Sequence, residues 1–266
     1  MKWAVLPVCR SVRPVTVGTT MPVTGNKSLL NYSLSIRLCA DGFSFLVYSL
    51  GSGQLLLQES LPCAADETLA DALERGLRLP RIAGRHYERV VLYSTSPSTR
   101  VPLDEFRRED MLAVYRLTFA GMSPRPEDMC FQVLPSLDVV EIFTLQSSVE
   151  ETLKSHYPSA MVQGLYGTML SQVAEMQQGS TLSVSTHAIM VDGGVMIAVL
   201  RKGRLHFANV FRAAGNADKL YFILYVWKTL SLDAWHDSCT LYGADEDLYE
   251  ELCQYLAHVD MRELSI

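Results

Sequence analysis

Leu34, Ile36 and Leu38 alternate with Ser35 and Arg37, the period-two pattern of a strand with one face in a core. Asp41-Gly42 follows as a turn signal, and FSFLVYSL beyond it is apolar enough for a central strand. Gly51-Ser52-Gly53 turns the chain again into QLLLQES. A helix is predicted over DETLADALERG, with Asp66 as its N-cap and Leu69, Ala72 and Leu73 on one face. ERVVLYS is the next strand. Three strands joined by tight turns make an antiparallel meander, and the helix must cross the sheet to bring this strand in parallel.

From Ser183 the same order recurs: SVSTHAIMVDGGVMIAVLRKGRLHFANVF, the helix NADKLYFILYVWKTL, and the strand SCTLYG. Asp41-Gly42 answers Asp192-Gly193, 151 residues later; Leu92-Tyr93 answers Leu241-Tyr242, and Gly53 and Leu55 answer Gly203 and Leu205 with a slip of one residue. Such a repeat predicts one supersecondary unit used twice. In the second helix Leu220, Ile223, Leu224, Trp227 and Leu230 keep helical spacing, while Tyr221, Phe222, Tyr225 and Val226 make the opposite face apolar too. That predicts burial on several sides, at the junction of the two lobes. A closing helix is expected over about 245–256. Between the units, prolines 97, 102, 124, 126 and 135 frame a helix near 104–117; DMCFQVLPSLDVVEIFTL predicts one or two strands, VEETLKSHY a helix, and AMVQGLYGTMLSQVAEMQQ a longer one. The expected division is a flexible arm over 1–27, a first lobe over 28–157 and a second over 158–266.

With 266 residues, 48% of them hydrophobic and 20% charged, the chain can bury a substantial core. A net charge of −6 argues against a nucleic-acid partner, and no apolar run is long enough to span a membrane. The six cysteines contain no C-x-x-C pair, which predicts reduced, buried thiols in a cytoplasmic protein. The first 27 residues carry Lys2, Arg10, Arg13 and Lys27 and no acid; Pro7 interrupts too short an apolar run for a signal peptide. The six histidines make no zinc spacing, although His187 and His206 fall in strands that could be neighbours. Five arginines between Arg75 and Arg89 are expected on a solvated helix end. Phosphate-loop and hydrolase signatures are missing.

Two copies of β-β-β-α-β-α, each opening on an acidic glycine hairpin, resemble the RNase H-like lobes of the actin-like ATPase superfamily of actin, Hsp70 and sugar kinases. Stretches such as NYSLSIRLCADGFSFLVYS, KGRLHFANVF and DKLYFILYVWKTLSLD are similar to those of an uncharacterised bacterial domain-of-unknown-function family with this fold. The resemblance runs from about Lys27 onward. It implies a two-lobed α/β protein in which ATP and Mg²⁺ would sit between the lobes. Asp41, Gly42 and Ser44 would form the first phosphate loop, Asp192, Gly193 and Gly194 the second, and Gly243 and Ala244 the adenosine turn; Asp41 and Asp192 would hold the metal. Equally, Asp-Gly between apolar runs is an ordinary hairpin signal. Where the superfamily expects hydroxyls after the second loop this chain has Val195 and Met196, which implies a degenerate nucleotide site and a scaffold that binds a protein partner. An active ATPase or small-molecule kinase is the alternative.

Overall fold

In the computed structural model, residues 31–178 and 182–264 are described; the basic arm lies outside them. The meander forms as its alternation requires, from β1 (Tyr32–Cys39), β2 (Gly42–Ser49) and β3 (Leu55–Pro62). Ile36 stands opposite Phe45 and Leu34 opposite Val47, so their apolar side chains share one face. Helix α1 (Leu69–Leu77) lays Ala72, Leu73 and Leu77 on that face. Its cap is Thr68, not Asp66: the Thr68 hydroxyl oxygen accepts the Asp71 N–H at 3.2 Å and donates to the Asp71 carboxylate at 2.7 Å. Gly76 lets the helix approach the sheet, since a Cβ there would sit 2.2 Å from the Phe45 ring. A short turn of helix, α2 (Pro80–Ala83), leads into β4 (Tyr87–Ser94), parallel to β1.

Next comes an insertion. β5 (Thr99–Pro102), α3 (Met111–Thr118), β6 (Met129–Leu134) and β7 (Val139–Thr144) build a three-stranded sheet in the order β5-β7-β6. The helix expected from residue 104 begins at Met111, because 103–105 form a turn and Arg108–Asp110 a single 3-10 turn ahead of it. Helix α4 (Ser147–His156) returns to the first sheet and adds Val149 and Leu153 to its core. The long helix expected from Ala160 instead opens as a strand. β8 (Met161–Gly164) pairs in parallel with β4, and α5 (Leu165–Met176) follows directly.

The second sheet repeats the first. β9 (Val184–Val191), β10 (Gly194–Arg201) and β11 (Arg204–Arg212) form its meander, and α6 (Asn216–Thr229) crosses to β12 (Ser238–Tyr242). After α7 (Glu246–Cys253) comes a strand absent from the sequence expectation, β13 (His258–Arg262). The strand orders are β3-β2-β1-β4-β8 and β11-β10-β9-β12-β13, with matching senses. Each outer strand even carries the same bulge: Leu56 and His206 are the residues left unpaired where the register shifts. His187 and His206 are not on neighbouring strands, because β10 lies between them.

Core positions of the second sheet are Ala188, Val195, Ile197, Val199, Cys239 and Leu241, covered by Ile223, Val226 and Trp227 of α6 and by Leu248 and Leu252 of α7. Burial of α6 on all sides does not occur: Tyr221 is 61% and Tyr225 49% exposed. Nor are the thiols uniformly buried, since Cys253 is exposed and only Cys239 of the described five is fully inside. The described residues divide into two units, 31–133 with 140–165, and 134–139 with 166–264; the first therefore extends beyond Pro158 to take in β8. None of the described helices is long and apolar enough to cross a membrane.

Gly42 opens β2 at φ +151°, and a Cβ there would lie 2.2 Å from the Leu61 carbonyl oxygen; at Gly194 it would lie 2.1 Å from that of Phe211. Either alanine substitution is expected to cost about 1–3 kcal/mol, because backbone must move. Gly193→Ala, at φ +67° with open space around it, is expected to cost about 1 kcal/mol from backbone strain alone. Urea midpoints of the three variants check this order.

Candidate functional site

The two hairpin corners are where the sequence places a nucleotide site, and each can be built from its own unit. In the first, Ala40 and Asp41 make the turn and Asp41 is exposed. Gly42 is buried against β3, and the Cys63 N–H donates to the Asp41 carbonyl at 2.8 Å. Phe43 follows at once and points into the core at 1% exposure. Ser44 is buried within the sheet, opposite Arg37 on one side and Ser60 on the other, so its hydroxyl belongs to the strand and not to the turn.

In the second unit the turn residues are Asp192 and Gly193, both exposed, and Gly194 opens β10. The Ala213 N–H donates to the Gly193 carbonyl at 3.0 Å, the counterpart of the Cys63 bond. Val195 and Met196 behind it are fully buried. This geometry corrects the pairing of the repeats. Gly42 corresponds to Gly194, not Gly193, so Asp41 stands second in its turn and Asp192 first in its own. The two aspartates are not equivalent.

The third corner follows β12. Gly243 takes φ +70°, and Asp245 caps α7 by accepting the Leu248 N–H at 3.0 Å. Asn216 of α6 also donates to both oxygens of that carboxylate, at 2.8 and 3.0 Å. Burial opposes the charge, but these hydrogen bonds outweigh it and hold the Asp245 carboxyl below its usual range. Ala244 is half-buried beside it.

Sequence reasoning missed a polar cluster at the carboxyl ends of the parallel strands β1, β4 and β8, the end at which open α/β sheets carry their ligands. Its signal was the string Ser94-Thr95-Ser96-Pro97-Ser98-Thr99 directly after an apolar strand. Ser94 and Ser96 donate to the Thr144 carbonyl at 2.8 and 2.9 Å, and Thr95 to that of Leu38 at 2.7 Å. Beneath them lies Glu141, fully buried. One carboxylate oxygen accepts Ser98 Oγ at 2.6 Å and Arg100 Nη2 at 2.8 Å; the other accepts Gln132 Nε2 at 2.8 Å. Gln132 also bonds both backbone groups of Gly164, where a Cβ would come within 2.3 Å of the carboxylate. Residues of β5, β6, β7 and β8 are thus joined through one charge.

The second unit has its own buried polar group. His187 Nε2 lies 3.0 Å from Ser185 Oγ and Nδ1 3.2 Å from the Tyr242 hydroxyl. Burial, aided by the positive charge of Arg262, pushes the imidazole down to about 4, so it is neutral at physiological pH. The arginine-rich segment is engaged in pairs: Arg75 with Glu67, Arg78 with Glu74, Arg81 with Glu59, and Arg85 over the Tyr32 ring. The Arg75 hydrogen bonds hold Glu67 at about 2, and the two residues border an open depression of about 610 Å³ beside Pro62 and Cys63. Among the described residues, no three His, Cys, Asp or Glu side chains gather as a metal site.

Residues 25–259 match the family described as "Protein of unknown function (DUF3822)". A Bacteroides thetaiotaomicron protein "with actin-like ATPase fold and unknown function" superposes with a TM-score of 0.71 at 25% identity, over 88% of this chain and 91% of that one. A PilM–PilN type IV pilus biogenesis complex follows at 0.52 and 14% identity, over 87% and 88%. The ethanolamine utilization protein EutJ from Carboxydothermus hydrogenoformans is similar at 0.43 and 10%, over 86% and 84%. A search of curated proteins found no match to the sequence. The fold is that of the actin-like ATPases, as the resemblance implied.

Glu141→Ala is expected to destabilise the chain by about 3–5 kcal/mol, because Arg100 keeps a buried charge without its partner. Replacing both by leucine recovers much of that loss in a denaturant titration. His187 gives a pH signature. Its folded value lies below the ordinary 6.5, so the unfolded chain takes up the proton first. Stability contributed above pH 6.5 falls as pH drops towards 4, by about 3 kcal/mol in all. His187→Gln is expected to remove this component from unfolding curves measured between pH 7.5 and 4.5.

Proposed function

The chain belongs to the DUF3822 family of proteins of unknown function, and from that premise we propose that it acts by binding a protein partner and not by turning over nucleotide. The observation that carries this reading is the tightness of the two hairpin corners. Gly42 and Gly194 are used to let two strands of the same sheet approach, and the next residues, Phe43 and Val195, are buried in the cores. A phosphate cradle needs a run of backbone N–H groups turned outward and hydroxyls beside them. Ser44 is committed to the sheet, and the carboxylate after the third corner, Asp245, is held by Asn216 and a helix cap where it would repel an anion. The residues present therefore fit a triphosphate and its Mg²⁺ poorly. Asp41 and Asp192 act as turn residues, tolerant of the backbone their hairpins demand.

A precedent for partner binding on this fold is the PilM–PilN assembly, in which the protein of similar fold is held in a complex with another protein.

Thermal melting with and without millimolar Mg-ATP tests the reading. No shift is expected, and none in Asp41→Ala or Asp192→Ala. Nucleotide at a hundred times its Kd would stabilise the native chain by about 2.7 kcal/mol. A rise of that order, lost on Asp192→Ala and accompanied by phosphate release, would overturn the proposal in favour of an ATPase or kinase.

A further inference from the structure

Helix α6 carries an apolar face that its own sheet does not cover. Its inward side packs Ile223, Val226 and Trp227 into the core, yet Tyr221 and Tyr225 stand in solvent, stacked on one another with centroids 6.1 Å apart and planes 19° from parallel. Asp218 and Lys228, also exposed, lie on the same stripe. At 3.6 residues per turn the four positions fall within an arc of roughly 80°. Read along the helix, the stripe is acid, tyrosine, tyrosine, base, at spacings of three, four and three.

That order is its own complement. Turn a second copy end for end about Ile223, and residue 218 meets 228, while 221 meets 225. A two-fold axis across the helix therefore creates two Asp218–Lys228 pairs and two Tyr221–Tyr225 contacts at once. A parallel arrangement would set Asp218 on Asp218 and Lys228 on Lys228, which repel. A two-fold interface requires one patch to be complementary to itself, and this one is. Antiparallel packing also sets each helix dipole against the other.

We propose that α6 is a homodimer interface, in which two copies pack antiparallel through Asp218, Tyr221, Tyr225 and Lys228. It is independent of whether nucleotide binds. A single helix pair covers less than the ~1,600 Å² of a standard interface, so the dimer is weak, with a dissociation constant on the order of tens of micromolar.

Sedimentation of the full chain over about two decades of concentration around that value tests it. The wild type is expected to pass from monomer to dimer, and Y221E/Y225E to stay monomeric. D218K and K228D each place like charges together twice, and each is expected to raise the dissociation constant at least about tenfold. The decisive sample is an equimolar mixture of D218K and K228D. All four opposed charges then have opposite signs, and association should return, as it should in the D218K/K228D double variant. Melting curves of each variant confirm that it is folded. A wild type that stays monomeric throughout overturns the proposal. So does a dimer that all these variants leave unchanged, or a mixture of folded single variants that fails to associate.

Discussion

Beside Gly42 and Gly194 the chain passes so close to the third strand of its own sheet that there is no room for one more carbon atom. The rest of each unit is ordered by that approach. It fixes where β2 and β10 begin, and a strand's starting point decides which side chains face the core. With Gly42 opposite Cys39 and Pro62, residues 43, 45 and 47 point towards α1 and α4; a slip of one residue would present Ser44, Leu46 and Tyr48 instead. The same holds for residues 195, 197 and 199 beneath α6 and α7. A corner that serves packing this closely leaves little backbone turned outward for anything else.

How far the amino-acid order disclosed this depends on the kind of signal. Alternation at Leu34, Ile36 and Leu38 and the apolar runs after each turn were enough for both meanders, because a half-buried strand leaves a local trace. β8 and β13 left none. Four and five residues long, at the edge of a sheet and flanked by helix, they are strands because β4 and β12 offer them partners. Asp66 looked like a cap, but Thr68 won because Asp71 stands three residues beyond it. The glycine pairing was off by one because Asp-Gly and Asp-Gly-Gly align most easily on their aspartates, while the backbone aligns them on the glycine that has no space.

Of the polar groups, the sequence exposes those in turns and conceals those that converge from afar. Asp41, Asp192 and Gly243 announce themselves by their neighbours. Glu141 does not, since its partners Ser98 and Arg100, Gln132, and Gly164 come from three separate segments and meet only when the insertion folds. His187 and Tyr242 are likewise joined by the parallel pairing of β9 with β12. Tyr221 and Tyr225 belong to a third class: the helix was right and its apolarity was right, but which aromatic rings face outward depends on how a sheet with its own twist receives the helix.

The insertion also separates the two sheets in time. Ser94 pairs with Gly164, 70 residues on, whereas Tyr242 pairs with Arg262, only 20 residues on. Closing the longer loop costs about 1 kcal/mol more in chain entropy, and during synthesis the 66 residues between β4 and β8 must emerge before β8 exists at all. The first sheet therefore stands with four strands while its fifth is still being made, and the edge of β4 is open for that interval. When β8 does arrive it is only four residues long, too short to hold by ladder bonds alone. Gln132 and Glu141, already in place on the inserted sheet, give it a second anchorage. Maturation of the first unit is thus gated by a segment that contributes few of its apolar contacts.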